Sequence, residues 1–166
     1  MKKSISGFMI LFLTMIISLS ANAAPGDLFV QVDLEDPLVG DEQCSILKVL
    51  PDGTFTEFVS FPTILALTGL ADCSMSNTGI AVADNGNVYF AEDQSNSIIL
   101  ATPAGVLSTF VTEAQIIAVT GEPGANLNNG MVIGPDGDLY FNDGRSNSIL
   151  KATIPGGVVS LVVSEA

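Results

Sequence analysis

The chain has 166 residues, with 18 acidic against five basic side chains, no histidine, no tryptophan and a formal charge of −13. The missing histidine excludes Ser-His-Asp and Cys-His catalysis, histidine general bases and histidine metal ligands within this chain. So acidic a surface repels phosphate backbones and anionic lipid, which argues against nucleic acid and membrane partners. It attracts divalent cations, although solubility alone accounts for such a charge.

Residues 1–23 read as a signal peptide. Lys2 and Lys3 form the positive end, an apolar stretch runs from Phe8 to Leu19, and Ala21-Asn22-Ala23 is an A-x-A cleavage site, with cleavage expected near Ala23/Ala24. The apolar stretch falls short of the roughly 20 residues that a bilayer span needs. No membrane insertion is therefore expected after removal, and residues 24–166 are expected outside the cytoplasm, periplasmic or secreted. Lys48, Arg145 and Lys151 are then the remaining cations. Export permits a disulfide between Cys44 and Cys73, two buried free thiols being the alternative.

An internal repeat organises the rest. GIAVADNGNVYFAEDQSNSIILATPAG from Gly79 matches GMVIGPDGDLYFNDGRSNSILKATIPGG from Gly130 at an offset of 51, and a one-residue shift carries the match on to Ala114 and Ala166. A third copy lies upstream, where SILKVLPDGTFTEFVS from Ser45 lines up with SIILATPAGVLSTFVT from Ser97. The middle copy divides into four apolar runs, roughly 79–83, 87–92, 97–102 and 107–111, which predict strands A to D. Asp84-Asn85-Gly86-Asn87 and Pro103-Ala104-Gly105 supply the turn chemistry of tight hairpins. Between copies, Thr112 with Gln115 predicts a capping box and Gly121 a left-handed helix stop; Ser60, Pro62 and Gly69 give similar signals earlier.

Four-stranded units at a period near 50 predict an all-β fold of β-propeller blades, with short helices in the D–A connections. The blades fall at roughly 26–60, 79–112 and 130–163, the first beginning at what reads as strand B. Three blades do not close a ring of 4 to 8. A piece of a longer protein is the preferred expectation, because the chain stops inside a repeat unit. If the chain is complete, a homodimer of three blades plus three is expected.

In a propeller the B–C and D–A connections share one rim and the tight A–B and C–D turns share the other. Candidate chemistry falls on the long-loop rim. Asn77 and Asn128 precede strand A, with Asn129 beside the latter; Glu92, Asp93 and Asp143 follow strand B, and Arg145 stands near Asp143. Cys44 and Cys73 fall on the same rim. Oxygen ligands of this kind suit calcium or another divalent cation, and no other cofactor is implied. The structural alternative is that the asparagines make turn and cap hydrogen bonds and the acids stay solvated. Tyr89-Phe90 and Tyr140-Phe141 are expected in the core. The recurrent Ser95-Asn96-Ser97 and Ser146-Asn147-Ser148 serve the repeat.

At SNTGIAVADNGNVYFAED and LNNGMVIGPDGDLYFND the chain resembles the six-bladed propellers of the gluconolactonase and senescence-marker-protein superfamily and the related NHL-repeat proteins. That resemblance implies a metal-dependent sugar-lactone hydrolase using calcium or zinc. Asn128 and Asn77 match the family's asparagines by motif. The family's first-strand glutamate has no counterpart here, and its later aspartate would fall beyond residue 166. GPDGDLYF also resembles streptogramin lyase propellers, whose activity depends on histidine. The leading expectation is a ligand-binding or interaction module for a small-molecule or protein ligand, with the lactone hydrolase as the alternative.

Overall fold

The computed structural model describes residues 27–35, 42–75, 78–127 and 130–164; the predicted leader lies outside them. Three antiparallel sheets follow one another along the chain. The first holds β1 (Leu28–Glu35), β2 (Glu42–Val49) and β3 (Phe55–Val59). The second holds β4 (Ile80–Val82), β5 (Val88–Glu92), β6 (Ser97–Ala101) and β7 (Leu107–Val111). The third holds β8 (Met131–Ile133), β9 (Leu139–Asp143), β10 (Ser148–Ala152) and β11 (Val159–Ser164). Each sheet is a simple meander, so the all-β blade fold expected from the repeat is the fold observed. Among the described residues the first blade has strands B, C and D only, with β1 in the place of β5.

Two short helices join the blades. In α2 (Glu113–Thr120) the predicted capping box is complete: the Gln115 amide N–H donates to the Thr112 hydroxyl at 3.3 Å, and Gln115 Oε1 accepts from the Thr112 amide at 2.9 Å. In α1 (Phe61–Thr68) the corresponding box is absent. Its third residue is Thr63, whose hydroxyl pairs with that of Ser60 at 2.7 Å instead of leaving Ser60 to cap the backbone. Both helices stop at a glycine in the left-handed region, Gly69 and Gly121.

The rim assignment follows from hydrogen bonds. The Asp93 amide donates to Ser74 O and the Gly144 amide to Asn126 O, both at 2.9 Å, which ties each B–C turn to the D–A connection before it. On the opposite rim Asp138 in the A–B turn accepts from the Ile154 amide in the C–D turn at 3.0 Å. The one-residue shift in the repeat is also located. In the second blade the Gly105 amide closes its turn on Thr102 O, whereas in the third Gly157 closes on Thr153 O, one residue wider.

Apolar seams hold adjacent blades together. Phe29, Ile46 and Val59 pack with Val88, Phe90 and Ile99 between the first and second blades. Tyr89, Ile98 and Val111 pack with Leu139, Phe141 and Leu150 between the second and third. All five residues of β5 are buried, because the sheet is covered on both faces; the first four are apolar or aromatic, and the fifth, Glu92, lies at the strand end. Each large side chain sealed in such a seam contributes about 1.5–3 kcal/mol. Tyr140 departs from the expected core position. It is partly exposed on the uncovered face of the third blade, and its hydroxyl donates to Asp136 Oδ2 at 2.9 Å.

Candidate functional site

Cys44 and Cys73 form the expected disulfide, with Cα atoms 6.2 Å apart. Cys44 lies inside β2, and both residues are fully buried. The bond joins the first blade to the D–A connection that leads into the second.

Glu92 and Asp143 differ from the expectation of solvated acids: both are completely buried. Each ends strand B of its blade, and each carboxylate is wrapped by amides. Glu92 Oε1 accepts from the Ser74 and Gln94 amides at 3.0 and 3.1 Å, and Oε2 from the Ser95 amide at 2.7 Å. Asp143 repeats the arrangement, accepting from Asn126 at 2.6 Å and from Arg145 and Ser146 at 3.4 and 3.1 Å. The Ser146 hydroxyl donates to it as well. A buried carboxylate is tolerable because these donors replace water. The physical result is a staple that fixes the B–C turn and the D–A connection to each other twice along the rim.

The turn bound by each staple needs a residue in the left-handed region. Asn96 and Asn147 adopt it, at φ 46° and 47°, which is why the Ser-Asn-Ser motif recurs. Beside Glu92, Asp93 is partly exposed, and burial first, then the Glu92 charge, holds its carboxyl above the ordinary aspartate range. Arg145 is exposed. A side chain at Gly124 would come within 3.3 Å of Arg145 Nε and 3.5 Å of Glu113 Oε1, so glycine lets the guanidinium lie over the connection.

Glu113 was not singled out by the sequence. Its Oε1 accepts from Asn96 Nδ2 at 3.2 Å and from the Ala125 amide at 3.1 Å, linking helix, turn and connection on this rim. Phe61 stands at the corresponding place in α1, so the repeat carries no signal for it. Gln31 was missed too; its amide crosses the first seam to Thr78 Oγ1 at 2.8 Å.

Asn77, Asn128 and Asn129 lie outside the described residues. Their flanks show that the spacing of the two connections differs. Ser74 and Asn126 are equivalent through the staples, and Gly79 and Gly130 through the strands, so the earlier connection is one residue longer. Asn77 therefore matches Asn128 only when counted back from strand A. Asn126 Oδ1 is buried and has no partner among the described residues. Among those residues no three acidic or cysteine side chains gather as a metal-binding group. The oxygens of Glu92 and Asp143 are already engaged by amides.

The sheets and seams define the class as a β-propeller blade protein. Solved structures agree. A luciferin-regenerating enzyme superposes with a TM-score of 0.57 at 15% identity, over 87% of this chain and 44% of its own. Regucalcin from Agrobacterium tumefaciens, described as a calcium-binding protein, does so with 0.54 at 16%, over 84% and 43%. A catalytically inactive virginiamycin B lyase from Staphylococcus aureus with quinupristin gives 0.51 at 17%, over 84% and 46%. At such identities the likeness shows the fold, and the chain spans less than half the length of each of these proteins. No family model matches the chain, and no curated protein does.

Proposed function

We propose that this chain is an exported β-propeller module that binds a small-molecule or protein ligand on its long-loop rim. The observation that carries this reading is the pair of carboxylate staples at Glu92 and Asp143, which lock the segments leading into the inner strands onto a rigid scaffold. Loops held on a rigid scaffold are where binding residues concentrate. Asp93 and Arg145 offer polar groups there. The buried disulfide is compatible with an oxidising compartment. No helix among the described residues is long and apolar enough to cross a membrane.

A second reading, a divalent-metal-dependent lactone hydrolase, is favoured by the motif match at Asn128 and Asn77 and by fold likeness to a protein described as calcium-binding. In that reading Asn77, Asn128 and Asn129 are ligands of a calcium ion. Calorimetric titration with calcium, alongside a screen of lactone hydrolysis, separates the two. Lactone turnover that disappears on chelation overturns the binding-module reading. Calcium binding without turnover, lost in Asn128→Ala, supports a module whose rim takes the ion.

A further inference from the structure

Each connection that leads into an inner strand is held from two sides. From the following blade the hold is the carboxylate staple, Glu92 on the first connection and Asp143 on the second. From the preceding blade the two connections differ. At the second, Asn96 of the B–C turn donates to Glu113 Oε1, which also accepts from the Ala125 amide, so one carboxylate oxygen bridges turn and connection. At the first, an offset of 52 residues places Cys44 at the position of Asn96, Cys73 at that of Ala125 and Phe61 at that of Glu113. The Phe61 side chain has no acceptor to offer, and the Cys73 amide turns instead to Asp72 Oδ1 at 2.8 Å. The disulfide thus joins the same two positions that the Glu113 bridge joins one blade later.

We propose that the junction between the first and second blades is redox-gated: oxidation of Cys44 and Cys73 fixes residues 72–74 of the first connection to the first blade, whereas Glu113 fixes the second connection whatever the redox state. Gln31 still reaches Thr78 Oγ1 at 2.8 Å in the absence of the bond, nearer the inner strand, so the effect of reduction falls on the segment around Cys73. Closure is a disulfide exchange. One cysteine thiolate attacks an external disulfide and breaks its S–S bond, and the second cysteine then displaces the mixed disulfide to form the Cys44–Cys73 bond. Two electrons and two protons pass from the cysteines to the external couple, which leaves as a dithiol. Both cysteines are fully buried, so exchange requires the junction to be open; the bond is made as the junction closes and is shielded afterwards. An exported chain therefore sets this part of the long-loop rim after leaving the reducing cytoplasm. That consequence rests on the reading of the chain as exported and of the rim as its binding surface. Hydrogen exchange reads the connection itself without a ligand, so the gate and that reading can fail separately.

The test is hydrogen exchange of the processed chain, oxidised and after reduction with dithiothreitol. Reduction should lower protection at the Cys73 and Ser74 amides about 10-fold or more and leave the Ala125 and Asn126 amides unchanged. Glu113→Ala should do the reverse, lowering protection at Ala125 and keeping it at Cys73 and Ser74. The Cys44→Ala/Cys73→Ala protein, with no reductant present, should match the reduced chain, and circular dichroism establishes that each protein is folded. Dithiothreitol should reduce the folded chain about 100-fold or more slowly than the same chain in denaturant, since attack on a shielded bond waits for opening. Unchanged protection at Cys73 and Ser74 on reduction, loss at both connections together, or reduction as fast in the folded chain as in the unfolded one would overturn the proposal.

Discussion

Gln115 Nε2 donates a hydrogen bond of 3.0 Å to the carbonyl oxygen of Gly157, so the residue that caps α2 also holds the C–D turn of the following blade. Gln115→Glu keeps the acceptor that serves the cap and removes the donor that serves the turn. It should cost about 1 kcal/mol, and Gln115→Ala, which removes both, about 2 kcal/mol. Denaturant unfolding of the oxidised protein reads the difference. A Gln115→Glu protein as stable as the unaltered one would show that the bond to Gly157 contributes nothing, and equal losses for the two variants that the cap does not.

Gly157 itself has φ 63°, and a Cβ there would lie 2.5 Å from the carbonyl oxygen of Phe110 in the neighbouring blade. Gly53, in the first blade's C–D turn, has φ 83° with no atom near its Cβ position. Gly53→Ala should therefore cost about 1–2 kcal/mol for backbone strain alone, and Gly157→Ala roughly 2 kcal/mol more, because backbone must move. Unfolding midpoints of the two variants measure the seam separately from the turn.

Glu92→Ala leaves three backbone amides of the rim without their acceptor and should destabilise by about 3 kcal/mol or more. Glu92→Gln turns one oxygen into an N–H donor, which cannot serve every amide, and should fall between the two. Hydrogen exchange adds a local readout: the Ser74, Gln94 and Ser95 amides should lose protection first. Unchanged protection would mean that the carboxylate does not hold the rim.

Reduction of the Cys44–Cys73 bond releases a loop spanning 29 residues. Loop-closure entropy places the loss at about 3 to 4 kcal/mol. The unfolding midpoint of the Cys44→Ala/Cys73→Ala protein, with both thiols removed, should drop accordingly.

Asp93 gives a pH signature. Its carboxyl sits above the ordinary value because burial and the Glu92 charge disfavour the anion. The folded state therefore holds that proton more tightly than the unfolded chain, and the ionised group opposes folding at neutral pH. Asp93→Asn should stabilise at pH 7 by less than about 1 kcal/mol, since solvent screens a half-exposed group. The advantage should shrink as pH falls through the folded value and vanish below the unfolded one. Denaturant midpoints of the two proteins across that range give the comparison.

The blade architecture was legible in the residues because repeated short-range chemistry writes it. Apolar runs of strand length, Asp-Asn-Gly and Pro-x-Gly turns, and the Thr112–Gln115 cap each act within a few residues of one another. The same signals located the disulfide partners on one rim. They failed where a long-range partner decides the outcome. Glu92 and Asp143 read as solvated acids, and only the approach of amides 17 and 18 residues away makes their burial possible. Tyr89 and Tyr140 occupy the same repeat position, yet the first is buried and the second partly exposed, because the third blade lies on Tyr89 and none of the described residues lies on Tyr140 in the same way. The failed cap at Ser60 turned on the hydroxyl of Thr63 taking the bond.

By itself, then, the sequence determined that the chain forms antiparallel blades with tight turns on one rim and longer connections on the other, and that no histidine chemistry operates within it. Tertiary structure alone decided which acids become staples, which apolar faces are sealed and which are left open. Strand, turn and cap preferences are local energies. Burial of a charge or a face depends on what the rest of the chain brings against it.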